Sequence, residues 1–147
     1  MQLLVWTLDQ QQYALPLAAV DRVVRAVAVT ALPGAPDIVS GMVNVRGTIT
    51  PVVNMRKRLS LPPREIHPGD TLVLAHTSRR PVAFFVDVVS RLADYPDTAI
   101  VAAESVAPGS DYIAGIAKSI DGMTLIHDLE RFLSLDEEAA IDQALHS

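Results

Sequence analysis

At 147 residues the chain is long enough to bury roughly two thirds of its unfolded surface, so a core needs no covalent staple. It contains no cysteine, which excludes disulfides, thiol catalysis and thiolate metal sites. A formal charge of −5 with 5% aromatic residues disfavours a phosphate-tracking, base-stacking surface. Half of the residues are hydrophobic, but ten prolines and seven glycines break them into short runs, which favours many short strands over long helices.

In chain order, the apolar start has no basic stretch before it and ends at Asp9, so neither a signal peptide nor a membrane span is expected. A cytoplasmic location is the expectation. Residues 3–8 and 13–17 bracket a polar Asp-Gln-Gln-Gln stretch and read as a first hairpin. Val20, Val23, Val24 and Val27 recur at helical spacing, which predicts a short amphipathic helix over 18–26. An extended stretch over 27–32 and a loop at Pro33-Gly34-Ala35-Pro36 follow. Residues 41–54 are the most informative part. Two apolar runs, 42–45 and 49–53, flank Arg46-Gly47 as in a tight hairpin, with Gly47 supplying the positive φ and Arg46 projecting from the end. One helical turn over 55–59, stopped by Pro62-Pro63, leads into a polar connector over 60–70.

The second part repeats this style. Residues 71–76 and 81–86 form an apolar pair around Ser78-Arg79-Arg80, 88–95 continues as a strand, and 94–110 reads as loop. Strands over 112–120 and 123–127 surround Asp121-Gly122, the strongest hairpin turn in the chain, with Gly122 as its structural glycine. Asp128 is the expected cap of a helix reaching 133, and Asp136 that of a final amphipathic helix over 136–147 using Ala139, Ala140 and Leu145. The charges are polarised: residues 1–64 carry seven basic against three acidic side chains, residues 65–147 five against fourteen. Such asymmetry suits head-to-tail contacts between differently charged partners.

No catalytic constellation stands out. His67, His76, His127 and His146 lie without ligand spacing, so no metal and no cofactor are expected. There is no GxSxG elbow, no GxxxxGK[ST] and no GxGxxG, and Gly109-Ser110 is too isolated to cradle phosphate. Arg56-Lys57-Arg58 and Arg79-Arg80 are short basic clusters, read as solvated faces rather than a nucleic-acid surface. The expectation is a protein that is not an enzyme, binds no nucleic acid and inserts into no membrane.

Residues 41–54, together with Leu3-Leu4-Val5-Trp6-Thr7-Leu8, Tyr13-Ala14-Leu15-Pro16-Leu17, Val20-Asp21-Arg22-Val23-Val24, Val82-Ala83-Phe84-Phe85-Val86-Asp87 and Ile113-Ala114-Gly115-Ile116, stand in an order that resembles the chemotaxis coupling protein family, the CheW-like domain. The resemblance covers residues 3–133. It implies an all-β fold with short helices, built as two intertwined five-stranded SH3-like β-barrels sharing a hydrophobic seam, with approximate subdomains 1–65 and 66–135 and exchanged strands allowed. It implies a scaffold joining the cytoplasmic tip of a chemoreceptor, a methyl-accepting chemotaxis protein, to the regulatory domain of a CheA-type histidine kinase at membrane-associated receptor arrays.

Carried over residue by residue, the receptor-binding positions are Val20, Gly41, Arg46 and Leu92. Val20 and Leu92 are equally well explained as plain core, and Arg46 either reaches the partner or braces the groove internally. Asn54 stands where the family usually has an acid, with the expected loss of an internal partner for a nearby arginine. The alternative function is a stand-alone SH3-like module for an unrelated peptide or nucleic acid.

Overall fold

The computed structural model describes residues 1–25, 28–67, 70–102, 112–120 and 122–146. Its strands are β1 (Gln2–Leu8), β2 (Gln11–Pro16), β3 (Val20–Arg25), β4 (Val39–Val45), β5 (Thr48–Val53), β6 (Thr71–His76), β7 (Pro81–Val86), β8 (Val88–Asp94), β9 (Ile100–Ala102), β10 (Ile113–Ser119) and β11 (Gly122–His127). The helices are α1 (Met55–Arg58) and α2 (Leu135–Leu145), with single 3-10 turns at Leu17–Ala19, Asp97–Ala99 and Leu129–Arg131.

The strands form two sheets, ordered β8-β1-β2-β11-β10-β9 and β3-β6-β7-β5-β4. Most pairs are antiparallel, but β2 with β11 and β5 with β7 are parallel and join distant parts of the chain. The second sheet curls on itself through a bridge in which Thr30 and Met42 exchange backbone hydrogen bonds of 2.9 and 2.7 Å.

Alternating faces explain the long apolar runs. In β1, Leu4, Trp6 and Leu8 face a cluster lying between the sheets, while Leu3 and Val5 face the first sheet's own core. In β6 and β7, Val73, Ala75, Val82, Phe84 and Val86 join that central cluster, and Leu72, Leu74 and Ala83 line the interior of the second sheet. Strands covered on both sides need no polar alternation. The all-β architecture with short helices and a shared seam is as expected, although the first sheet has six strands rather than five.

Four local expectations are corrected. Residues 20–25 are strand, not helix: Val20 opens β3 after the 3-10 turn, and β-branched valines fit a ladder against β6 better than a helix. Ala26 and Val27 lie outside the described residues. Residues 100–102, expected as loop, add β9 to the edge of β10; the rest of that loop, 103–111 with Gly109-Ser110, lies outside the described residues, as does Asp121. The last helix is capped by Ser134, not Asp136, in a reciprocal box in which Ser134 Oγ accepts from Glu137 N at 3.1 Å and Glu137 Oε1 accepts from Ser134 N at 2.8 Å. Its buried face is Glu138 and Ile141, with Ala139 exposed. Finally, residues 129–131 form a single 3-10 turn rather than a helix reaching 133, and Asp128 makes no capping side-chain hydrogen bond. Strands are exchanged between the two halves of the chain: the second sheet takes β3 to β7, and the first takes β1, β2 and β8 to β11.

Of the two basic clusters, Lys57 and Arg79 are exposed without a side-chain partner, as a solvated face would have it, but Arg56, Arg58 and Arg80 are not solvated. Arg56 Nη2 donates to both oxygens of Asp87 at 2.9 Å, Arg58 donates to Glu137 Oε2 at 2.6 Å and to the Tyr112 hydroxyl at 3.0 Å, and Arg80 Nε donates to Glu138 Oε2 at 2.6 Å. Arg56 and Arg58 lie on α1 and Arg80 in the β6–β7 turn of the second sheet, while Asp87 links β7 to β8 and Glu137 and Glu138 lie on α2. Burial alone would raise the Asp87 carboxyl, but the Asp9 amide and the Arg56 and Arg64 guanidiniums together hold it below its ordinary value.

His127 is fully enclosed in the seam. Its ring stacks on Tyr13 at 4.8 Å between centroids and on Trp6 at 5.6 Å, with Phe132 edge-on at 5.1 Å. Neither ring nitrogen has a partner among the described residues, and burial depresses its pKa from 6.5 to about 3. Between those values the unfolded chain takes up a proton that the folded chain refuses, so stability falls as pH drops through that window. Unfolding titrations are expected to show a loss of about 2 kcal/mol between pH 7.5 and 5, at ~1.4 kcal/mol per unit below 6.5, and His127→Phe is expected to flatten that slope.

Two glycines carry different constraints. A Cβ on Gly41 would lie 2.6 Å from the Thr30 carbonyl oxygen, whereas one on Gly47 meets nothing within 4 Å but must adopt φ +86°. Gly47→Val should therefore cost about 2 kcal/mol through backbone strain alone. Gly41→Ala should cost more, because a backbone bridge must open. Thermal melts of both variants check the order, and an unaltered melting temperature for Gly47→Val contradicts the turn.

Candidate functional site

The β4–β5 turn is built from two residues in the left-handed region, Arg46 at φ 52° and Gly47 at φ 86°. That pair makes the tight hairpin turn whose twist matches the flanking strands. Both central residues adopt positive φ, not Gly47 alone. Asn44 Oδ1 accepts from Gly47 N at 2.9 Å and locks the turn from below. Arg46 is exposed and has no hydrogen-bond or ion-pair partner among the described residues, so it does not brace a groove internally.

Val20 is half-buried against the central seam and lies opposite Ala75. Leu92 lies on β8 opposite Leu4, a seam residue, yet is 64% exposed. Val20 therefore packs against the seam from the second sheet, whereas Leu92 is exposed on the first sheet and is not core. Arg46 shares a concavity with Asp21 and Arg22, the two residues that follow Val20. Gly41 stands apart. It is buried within β4, and the space of its missing Cβ is filled by this chain's own Thr30 carbonyl. Gly122, at φ 134°, opens β11 opposite Ser119 and belongs to the far hairpin.

Asn54 serves as well as an acid at its position. Its Oδ1 accepts from Lys57 N at 3.1 Å and caps α1, and the neighbouring Arg56 finds Asp87 instead. Sequence reasoning missed Arg22 as a member of the Arg46 concavity. Its only local signal was its place in an otherwise valine-rich run, and its nearness to Arg46 depends on how the second sheet closes. Asp21 is held by His76 Nδ1 at 2.8 Å. Among the described residues no group of three or more His, Cys, Asp or Glu side chains is placed to hold a metal ion, and no helix is long and apolar enough to cross a membrane.

Comparison with known proteins agrees with this geometry. The CheW-like domain model matches residues 2–137. The chain is 24% identical to the chemotaxis protein CheW of Klebsiella aerogenes, over 99% of this chain and 89% of the relative. It is 27% identical to the chemotaxis protein CheW of Bacillus subtilis, over 97% and 94%. The crystal structure of the scaffolding protein TtCheW from Thermoanaerobacter tengcongensis superposes with a TM-score of 0.84 at 25% identity, covering 92% of this chain and 94% of that one. With the family model spanning nearly its whole length, the chain belongs to the CheW-like domain family.

Proposed function

We propose that the chain is a non-enzymatic scaffold that couples the signalling tips of chemoreceptors to the regulatory domain of a CheA-type histidine kinase. The observation that carries this reading is the exposed, unpaired Arg46 on a locked turn, sharing a concavity with the two residues that follow the seam-packed Val20, with Leu92 as an exposed apolar side chain on the first sheet. An incoming helical hairpin presents apolar side chains at one spacing and polar groups at its flanks, and such a surface receives both. Gly41 supports the surface indirectly, by letting the strand that carries Arg46 pack against Thr30.

A scaffold also needs a second face. Val23 and Ile49 are exposed on the second sheet, and Ile120 and Met123 on the β10–β11 hairpin of the first. Single exposed apolar residues are ordinary, but these lie on opposite sheets whose relative position is held by one core. Binding at either end thus holds two partners at a set separation, and recruitment to receptor arrays follows from the receptor contact rather than from membrane attachment.

Arg46→Ala keeps a residue at positive φ without a bulky branched side chain, so the fold is expected to survive with little change in melting temperature. Pull-down by a chemoreceptor signalling fragment should weaken roughly tenfold, the scale of one charge-assisted hydrogen bond. Unchanged binding by the folded variant would refute the role assigned to Arg46.

A further inference from the structure

The chain passes between its two sheets twice. It enters the second sheet through the 3-10 turn Leu17–Ala19, between β2 and β3, and leaves it between β7 and β8. The second crossing is a single residue, Asp87, set between Val86 and Val88. Its backbone amide donates to the Thr7 carbonyl of β1 at 3.0 Å, so the crossing is tied to the first sheet at once.

The Asp87 carboxylate gathers groups from both sides. From the first sheet, the Asp9 amide of the β1–β2 turn donates to Oδ2 at 2.9 Å. From the second, Arg56 Nη2 on α1 donates to both oxygens at 2.9 Å, and Arg64 Nη1 donates to Oδ1 at 2.6 Å. Each guanidinium has a further tie: Arg56 Nη1 donates to the Pro62 carbonyl at 3.0 Å, and Arg64 Nη2 donates to Asp70 Oδ1 at 2.7 Å. The β1–β2 turn held in this way is itself costly, since Asp9 and Gln10 both adopt positive φ without a glycine. Arg56 and Asp87 are mostly buried, which shields their contact from salt.

The apolar seam holds the sheets together, but burial rewards contact without direction. A guanidinium bonded to both oxygens of one carboxylate is met over a narrow range of orientations. With its functional consequence resting on the scaffold reading above, we propose that Asp87 is a positioning residue for scaffolding: it clamps the one-residue crossing to the β1–β2 turn, α1 and Arg64 together, and so fixes the angle between the two sheets. The two faces of a scaffold lie on different sheets, so that angle sets how one partner is presented to the other. Loosening the clamp therefore leaves each face intact and weakens the coupling between them.

The test reads the angle through distances. The chain has no cysteine, so spin labels attach only where one is introduced. Ile49→Cys with Met123→Cys, at exposed positions on β5 and β11, measures a distance across the sheets by dipolar EPR, and Ile49→Cys with Val23→Cys measures one within the second sheet. In the otherwise wild-type full chain both distributions are expected to be narrow. Asp87→Asn, which keeps the size and one acceptor oxygen, is expected to broaden the cross-sheet distribution and leave the within-sheet one alone. Arg56→Lys keeps the charge but not the planar fork and is expected to act in the same direction. If Asp87→Asn does not fold, Arg56→Lys decides by the same readings. For the unlabelled variant, a receptor signalling fragment and the kinase regulatory domain should each bind within about twofold of the wild type, while receptor-dependent stimulation of the full kinase falls about tenfold, the scale of an ordinary coupling free energy.

Folded variants whose cross-sheet distribution matches the wild type overturn the proposal, as does broadening that appears equally within the second sheet. Broadening with undiminished kinase stimulation overturns the positioning role. A wild-type chain that binds neither partner overturns the scaffold reading instead, and the distances, which need no partner, then decide separately whether Asp87 sets the angle.

Discussion

The molecule is organised by one apolar seam between its two sheets. Among the described residues that seam gathers eighteen buried side chains, including Trp6, Phe84 and Phe132, whereas the two sheets hold only six and five in their own interiors. Neither sheet has enough core to stand alone, because apolar burial is the dominant favourable contribution to folding and most of it lies between them. The C-terminal segment closes this arrangement by adding Leu129, Phe132, Leu133 and Ile141 to the same cluster. Two surfaces on different sheets are thus carried by one rigid body, which is the mechanical requirement for a scaffold.

Charge follows the same division. The basic second sheet and the acidic remainder meet at the seam, where Arg56, Arg58 and Arg80 pair with Asp87, Glu137 and Glu138. Arg80 and Glu138 are only 10% and 9% exposed, so each would be a costly orphan without the other. Pairs of this kind add little net stability over an apolar contact, but they penalise any other docking of the sheets and of α2. Part of the charge polarity along the sequence is therefore neutralised inside the molecule. Outside the seam, Arg22 and Arg46 line one concavity and have no ion-pair partner among the described residues.

The hairpin shows how a short segment becomes a presenting arm. Two consecutive positive-φ residues, an Asn44 side chain bonded to the Gly47 amide, and a bridge from Thr30 to Met42 leave the β4–β5 backbone little freedom. Only the side chain of Arg46 retains rotamers to lose on binding. A comparable turn closes the first hairpin, where Asp9 and Gln10 adopt φ 51° and 71° without any glycine, held by the Asp9 amide donating to Asp87 Oδ2 at 2.9 Å.

The amino-acid sequence alone determined the hairpins, the polar connector after α1, the all-β class and the position of Arg46 at a turn. Each of these is written in neighbouring residues, as apolar runs, turn pairs and breakers, and so is the Ser134-Glu137 capping box. Tertiary structure alone decided whether the valines of 20–25 would be helix or strand, since their spacing fits both and only β6 supplies the ladder. It also decided that Gly41 packs against the Thr30 carbonyl, that His127 is enclosed, and that three arginines from basic clusters become internal clamps while Arg22 and Arg46 have no partner among the described residues. These outcomes depend on contacts between residues far apart along the chain, made when parallel pairs such as β2 with β11 close the sheets, and no local pattern encodes which distant group will arrive.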